Sequence, residues 1–236
     1  MFEVRNISFA YAGRPVLRNV SFVVSPGETV AIVGANGSGK TTLLKILATL
    51  AQPEGGSVLV DGQDALGMPI RYRRLMGYMP ESPALYEDMT VKSYLRFRAQ
   101  LKGEPEKRIR RRVGESVEMC QLAPYLRHPI CSLSAGLKKR VALADAMLLR
   151  PRVLLLDDFL AGLDRDLRVS SEGIIANIAA FAGVIVTGHE IADMAKWTTR
   201  FLVLRDGRIT STINAAGLDR EALAAKVDAV LAGGVQ

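Results

Sequence analysis

A glycine-rich segment between a strand and a helix constrains the fold of this chain more than any other feature. The run Thr29–Val33 is a nearly continuous β-branched segment, as expected of a strand buried on both faces. Residues 34–41 follow it and fit the pattern G-x-x-x-x-G-K-[ST], and residues 40–51 have the apolar spacing of a helix. Glycines in such a loop let successive backbone N–H groups surround phosphate oxygens, and the helix N-terminus adds the positive end of its dipole. The sequence therefore predicts a phosphate-binding loop.

The side chains of this loop and of a later strand have distinct expected roles. Lys40 is placed to reach the β- and γ-phosphates of a nucleotide, and the Thr41 hydroxyl is placed to ligate Mg²⁺. Asp157 directly follows the apolar run 153–156, so we expect its carboxylate to hold Mg²⁺ through water at the end of a buried strand. The loop residues expected to contact the nucleotide are Gly34, Asn36, Gly37, Ser38, Gly39, Lys40, Thr41 and Thr42. The two segments together predict a P-loop nucleoside triphosphatase.

The hydrophobic pattern of the rest of the chain predicts an α/β fold. Alternating apolar and polar residues at 2–9 and 16–24 predict two strands, with a turn at 12–15 between them. From about residue 88 to 150 the spacing becomes helical, and a further helix is predicted at 219–231. Additional strands are predicted at 57–60, 153–156, 184–186 and 201–209. Strands that alternate with helices around a helical insertion indicate a mainly parallel sheet.

Several classes of protein are excluded by the same sequence. The longest apolar stretch, at 174–187, has about 14 residues and is interrupted by Asn177, short of the roughly 18 to 20 residues that span a bilayer. The N-terminus carries no readable signal peptide. Cys120 and Cys131 lack CxxC spacing, so we predict neither a disulfide framework nor a zinc site. These features favour a reducing, cytoplasmic environment.

Residues 133–144 resemble part of the ATP-binding subunit of ABC transporters. The sequence LSAGLKKRVALA is similar to the LSGGQ signature of that family and the helix behind it: Ser134 and Gly136 match, whereas Ala135 and Leu137 depart. Ser134 can cap a helix whose first N–H groups point at a γ-phosphate. In this family the phosphate belongs to ATP held by the opposing subunit, so the resemblance implies a head-to-tail dimer. By itself, Ser134 is equally well explained as an ordinary N-cap.

Four further positions match motifs of the same family. Tyr11 stands where the family stacks an aromatic ring on adenine, although an isolated tyrosine there also fits a turn or core position. Glu81 replaces the usual glutamine and can ligate Mg²⁺ or position water. His189 resembles the switch histidine that contacts the γ-phosphate, and Asp164 resembles the end of the D-loop that crosses the dimer. The segment 77–86 is similar to exporter ATPases of the gliding-motility, drug and polysaccharide export type.

The departure with the largest expected effect lies directly after Asp157. The family normally has a glutamate there that orients or deprotonates the attacking water, and this chain has Asp158. Its side chain is one methylene shorter, which places the carboxylate roughly 1 to 1.5 Å further from the water, and a displacement of about 1 Å can cost on the order of 10²-fold in rate. We therefore expect MgATP binding to be preserved and hydrolysis to be slow, or this chain to pair with a second ATPase.

The resemblance implies an α/β fold of the ABC ATPase type in a single domain over residues 1–236. Residues 1–87 and 151–209 are expected to form a RecA-like core with an antiparallel β subdomain, residues 88–150 an inserted helical subdomain, and residues 210–236 a C-terminal helix. ATP and Mg²⁺ are the implied cofactors. The implied function is export driven by ATP through separate integral membrane subunits.

The implied assembly is a homodimer, or a heterodimer with another ABC ATPase, at the cytoplasmic face of the cell membrane, with no nucleic-acid partner. Lys and Arg number 31 against 24 Asp and Glu, and residues 91–112 alone hold nine basic and two acidic residues, which accounts for the whole excess of seven. This segment is expected either as a solvated helix face or as a surface that docks on membrane subunits or anionic lipid. The alternative function is a non-transport ABC ATPase, acting as an ATP-dependent dimerisation switch or as a regulatory or assembly factor.

Overall fold

A six-stranded sheet forms the centre of the molecule. The computed structural model describes residues 1–163 and 165–233, with side chains at all of these except 165–167. The strands lie in the order β10-β9-β3-β8-β7-β6; β6 to β9 and β3 are parallel, and β10 runs antiparallel to β9. Their bounds are β3 Thr29–Val33, β6 Met76–Met79, β7 Val153–Leu156, β8 Gly183–Thr187, β9 Arg200–Arg205 and β10 Arg208–Asn214. The mainly parallel sheet predicted from the sequence is confirmed.

A second sheet is antiparallel and has the order β2-β1-β4-β5. Its strands are β1 Phe2–Tyr11, β2 Arg14–Val24, β4 Gly55–Val60 and β5 Gln63–Asp64. The turn between β1 and β2 is shorter than the predicted 12–15, because Ala12 and Gly13 alone form it, with φ of 47° and 78°. Positive φ at both central residues suits the two-residue turns that match the twist of a hairpin.

Alternate residues of the central strands point into two separate hydrophobic clusters. In β3, Val30 and Ile32 face the cluster shared with the helix Lys40–Leu47 and the antiparallel sheet, whereas Ala31 and Val33 face the cluster shared with the helices that follow β6. All five residues of β3 are buried. A sheet covered on both faces needs apolar side chains on both, which explains the continuous β-branched run in the sequence.

Helices cover both faces of the central sheet. They are α1 Lys40–Leu47, α2 Pro69–Arg73, α3 Val91–Leu101, α4 Glu106–Met119, α5 Ala135–Met147, α6 Arg165–Ala179, α7 Ile191–Met194 and α8 Arg220–Leu231, with short 3₁₀ turns at Ala123–Tyr125 and Ile130–Ser132. The predicted apolar stripe of α4 is buried through Ile109, Val113 and Val117, and Cys120 is buried just beyond the helix. The helical insertion between β6 and β7 is therefore formed by α3, α4 and α5.

The basic segment 91–112 is less open than its composition suggests. Arg98 Nη2 lies 3.0 Å and Lys102 Nζ 2.8 Å from the two carboxylate oxygens of Asp145 on α5, whose side chain is 13% exposed. Arg112 is also largely buried and pairs with Glu104, which precedes α4, and with Glu115 on α4. Part of the local charge excess thus joins helices to one another instead of facing solvent.

The C-terminal part of the chain differs from the prediction in one strand. Residues 201–209 were expected to turn at Asp206-Gly207, and the hairpin does turn there, but its second strand, β10, continues beyond the expected end to Asn214. The closing helix α8 begins after Asp219, whose carboxylate accepts a hydrogen bond from Ala222 N at 2.8 Å. Over the ranges 1–163 and 165–233, every helix is too short or too polar to cross a membrane.

Candidate nucleotide-binding site

Most of the predicted site residues meet where three neighbouring strands of the central sheet end. Because β3, β8 and β7 are adjacent and parallel, their carboxyl ends lie side by side. The glycine-rich loop follows β3, the two aspartates follow β7, and His189 follows β8. An open cleft of about 240 Å³ lies there. Ten of the predicted residues line it: Asn36, Gly37, Gly39, Lys40, Thr41, Thr42, Glu81, Asp157, Asp158 and His189.

The glycine-rich loop requires glycine where the chain passes other backbone. A Cβ at Gly34 would lie 2.2 Å from the Leu204 carbonyl oxygen, and Gly39 has φ of 107° at the start of α1. Lys40 Nζ donates to the carbonyl oxygens of Gly34 at 2.8 Å and Ala35 at 3.1 Å, so its ammonium group sits within the loop. Burial lowers the pKa of Lys40, and the neighbouring carboxylates of the cleft oppose that shift.

Asp157 is held rigidly at the end of β7. Its N–H donates to the Met79 carbonyl oxygen at 2.9 Å, and its side chain is almost fully buried. One carboxylate oxygen accepts from Thr187 Oγ1 at 2.7 Å and from Thr41 Oγ1 at 3.2 Å. The carboxylate and the Thr41 hydroxyl therefore stand together at the cleft, where both are hard oxygen ligands of the kind that Mg²⁺ prefers.

Asp158 differs from its neighbour because none of the described side chains is hydrogen-bonded to its carboxylate. Its backbone is left-handed, with φ of 46°, and its N–H donates to Thr187 Oγ1 at 3.1 Å. The buried Oδ1 atom has no hydrogen-bond partner among the residues that the structure describes. Burial raises the pKa of Asp158, as does the carboxylate of Glu190, whereas His189 opposes the shift. This carboxyl group is consequently a better proton acceptor than an exposed aspartate.

Similarity to known proteins identifies the family to which this site belongs. The family model described as ABC transporter matches residues 17–161, more than half of the chain. The chain belongs to the ABC transporter family. Membership makes the chain an ATPase of the ABC type and supports ATP binding.

Individual relatives of this ABC ATPase cover most of its length. The uncharacterized ABC transporter ATP-binding protein YxlF of Bacillus subtilis is 31% identical over 210 residues, covering 89% of this chain and 70% of the relative. The Fe(3+) ions import ATP-binding protein FbpC of Pseudomonas fluorescens is 36% identical over 214 residues, covering 88% of this chain and 59% of the relative. The chain thus spans about 60 to 70% of these relatives. Because an import protein is among them, similarity does not distinguish the expected exporter type.

A solved structure shares the complete fold of the chain. The structure of an ATP binding subunit of an ABC transporter has a TM-score of 0.83 and 29% identity, and the match covers 97% of this chain and 99% of that one. Since the shared fold extends over nearly all of both chains, the antiparallel sheet, the central sheet and the helical insertion all belong to the ABC ATPase architecture.

Some predicted residues of this ABC ATPase lie outside its own cleft. Tyr11 is half exposed at the end of β1 and packs edge-on against Phe9, with ring centroids 4.7 Å apart. Ser134 is exposed and caps α5, accepting from Leu137 N at 3.3 Å, while Gly136 is buried. Asp164 falls outside the described residues. The roles expected for these positions stay predictions.

Two residues at the site were missed from the sequence. Thr187 links both aspartates, because its hydroxyl donates to Asp157 and accepts from the N–H of Asp158. Glu190 lies beside them: a Cβ on Gly188 would be 3.6 Å from Asp158 Oδ1 and 3.7 Å from Glu190 Oε2. The sequence signal that could have identified them is the presence of Thr187 and Glu190 close to His189, at the end of a buried strand.

Proposed function

We propose that this chain is an ATP-binding subunit that binds MgATP at a dimer interface and drives export through separate membrane subunits. The observation that carries the proposal is the cleft in which the phosphate loop, the two aspartates and His189 meet. Ser134 supports the dimer, because it is exposed at the N-terminus of α5 and does not line the cleft of its own chain. A second ATPase chain, identical or different, brings its own Ser134 or the equivalent to the nucleotide.

The oxygen atoms of the cleft fit a magnesium ion. Thr41 and Asp157 present a hydroxyl and a carboxylate 3.2 Å apart, and Glu81 adds a second carboxylate to the lining. Within the described ranges, no group of three or more His, Cys, Asp or Glu side chains is placed to hold a metal alone. That arrangement suits Mg²⁺, which usually keeps water and phosphate ligands and takes only one or two carboxylates. When bound, Mg²⁺ offsets the charge of the phosphates.

The residues of the chain have separate tasks in the proposed hydrolysis. Lys40 contacts the β- and γ-phosphates from within the loop, and Ser38 adds a buried hydroxyl that has no partner in the described part of the chain. Asp158 accepts a proton from the attacking water, and His189 contacts the γ-phosphate. The short reach of Asp158 makes this proton transfer slow, whereas phosphate binding does not depend on it.

Substitution of Asp158 tests its role as the base. We expect Asp158→Glu to raise kcat by about 10- to 100-fold at unchanged KM for ATP, because it moves the carboxylate about 1 Å closer to the water. Asp158→Asn is the matched control and should lower kcat below that of the native chain. Steady-state ATPase rates of the purified protein measure both, and a glutamate variant no faster than the native chain would contradict slow base catalysis.

The membrane partner is expected to dock on the helical insertion. Lys92, Lys107, Arg108 and Arg110 are exposed, and the structure shows no ion pair for them within the described ranges. Between α3 and α4 an apolar groove is bordered by Lys92, Arg110 and the ion pair of Arg96 with Glu106. A rim with three cations and one carboxylate around apolar residues suits acidic, partly apolar loops of a membrane subunit at the cytoplasmic face. Export is proposed from the likeness of segment 77–86 to exporter ATPases.

The replacement of glutamate by Asp158 also favours a second function, in which ATP is bound but hardly hydrolysed. If Asp158 turns over ATP very slowly, ATP binding alone acts as a dimerisation switch, as in a regulatory or assembly factor. Retention of integral membrane proteins by the tagged chain after detergent solubilisation distinguishes the two functions. A transporter subunit retains its membrane partner, and a switch protein is recovered without one.

A further inference from the structure

A lysine on the helix behind the signature segment contacts the backbone that carries the proposed base. Lys139 Nζ donates to the carbonyl oxygens of Asp158 at 3.1 Å and Phe159 at 3.2 Å, and also to that of Ala161. An ammonium group has three N–H donors, so these three carbonyl oxygens use all of them. One side chain thus joins α5 to the whole turn that follows β7.

Lys139 reinforces a turn that is also closed by a backbone hydrogen bond from Ala161 N–H to the Asp158 carbonyl oxygen at 3.2 Å. The Oδ1 atom of Asp158 has no hydrogen-bond partner among the described residues, and its backbone is in the left-handed region. The N–H of Asp158 is held by Thr187 on one side, and its carbonyl oxygen is held by Lys139 on the other. The position of the Asp158 carboxylate therefore depends on its backbone, and Lys139 is hydrogen-bonded to that backbone.

The charge of Lys139 also fits its surroundings. Burial lowers the pKa of Lys139, and the carboxylates of Asp158, Glu190 and Glu81 oppose that shift. Asp158 and Glu81 line the cleft, and Glu190 lies beside it. A cation among them offsets their mutual repulsion and the repulsion between them and a γ-phosphate.

Lys139 also lies on the helix that begins at Ser134. The two residues are five positions apart, about 7.5 Å along the axis of α5. The lysine side chain therefore connects the N-terminal part of α5 to residues 158–161. The helix that presents Ser134 to a second chain is thereby tied to the base of its own cleft.

We propose that Lys139 is a positioning residue for ATP hydrolysis, which holds the backbone of residues 158–161 so that the Asp158 carboxylate reaches the attacking water. The inference rests on the proposed role of Asp158 as the base. Lys139 contacts neither water nor phosphate in this role and acts only through the turn.

Steady-state ATPase rates of the purified full chain test the inference. Lys139→Met keeps the length of the side chain and removes its donors, so kcat should fall at least about tenfold, while KM for ATP changes less than about twofold. Lys139→Arg keeps the charge and the donors and should recover most of the rate. Lys138→Met is the matched control on the next residue, where the lysine pairs with Glu87 at the surface, and it should leave kcat unchanged.

Several outcomes would overturn the inference. An unchanged kcat in Lys139→Met contradicts it, and so does an equal loss of kcat and ATP affinity, or a loss that Lys139→Arg does not recover, because each indicates a general structural role. In the Asp158→Asn background, Lys139→Met should cause no further loss, since both changes remove one function. Full additivity of the two losses would also contradict it.

The same variants separate this inference from the assignment of the base. If Asp158→Asn abolishes turnover and Lys139→Met does not, Asp158 remains the base and the role of Lys139 is wrong. If Asp158→Asn turns over ATP at the native rate, the base assignment is wrong, and the role of Lys139 falls with it.

Discussion

Two buried charge clusters in this ABC ATPase are built from similar residues and do different work. In the helical insertion, each carboxylate oxygen of Asp145 has a cation within 3.0 Å, from Arg98 and Lys102. In the cleft, Asp158 keeps a buried carboxylate oxygen with no partner in the described part of the chain, and Lys40 bonds only to carbonyl oxygens of its own loop. In the first cluster the charges neutralise one another and link two helices. In the second, charged groups remain available to bind a ligand.

The difference has a physical cause. A buried charge without a counter-charge is costly, so a cluster that serves only the fold is fully paired. A binding site must keep polar or charged groups whose best partner is the ligand. The desolvation cost of these groups is therefore not offset until the ligand binds. Asp145 Oδ1 and Asp158 Oδ1 both lack a hydrogen-bond partner among the described residues, but Asp145 has cations within 3.0 Å, whereas the described residues form no ion pair with Asp158. The carboxylate without a counter-charge is therefore the one in the cleft.

Removing the Asp145 carboxylate should cause the largest change in stability. Asp145→Ala leaves Arg98 and Lys102 partly buried without a counter-charge and should lower the free energy of unfolding by about 3 to 5 kcal/mol. Urea unfolding followed by circular dichroism measures the loss. ATP affinity of the folded variant should stay close to native, because the cluster does not line the cleft. A loss of ATP binding without a loss of stability would contradict the division between the two clusters.

Removing Lys40 should give the opposite pattern. Lys40→Ala takes away the cation that meets the phosphates and should weaken ATP binding by about 2 to 5 kcal/mol, roughly 30- to 5,000-fold. Equilibrium binding of a fluorescent ATP analogue measures this. Thermal unfolding without nucleotide should change little, since among the described residues the side chain bonds to carbonyl oxygens of its own loop. Nucleotide retention equal to that of the native chain would remove the phosphate-loop assignment.

The smallest effect per residue is expected from exposed charges, which belong to neither cluster. Neutralising Lys107, Arg108 and Arg110 together should weaken membrane association by about 1 kcal/mol per residue if the surface faces anionic lipid or acidic loops. Co-sedimentation with membranes that hold the partner subunits measures it. The matched control neutralises Lys138, Arg18 and Lys45, which lie outside the segment 91–112. Equal binding of both variants would favour a solvated helix face.

Much of the central architecture followed from local patterns. The continuous apolar run of β3 requires cover on both faces of a sheet, and a glycine loop before a helix predicts a phosphate site wherever the strand ends. The stripe of α4 was also visible, because its apolar residues recur at helical spacing. By contrast, the end of β10 at Asn214 could not be located, since the exposed strand carries few apolar residues beyond its turn.

The sequence by itself determined the phosphate loop, the aspartate pair after β7 and the family, because each is a local pattern of residue types at set spacing. Only the tertiary structure decided what those residues touch. Thr187 joins the two aspartates from a strand 30 residues away, and Lys139 reaches the turn of Asp158 from α5. Packing also decided which basic residues of the insertion are paired, because Arg98 and Lys102, at the end of α3, contact Asp145 on α5. Such contacts depend on which strands and helices are neighbours in space, and spacing along the chain does not encode that directly.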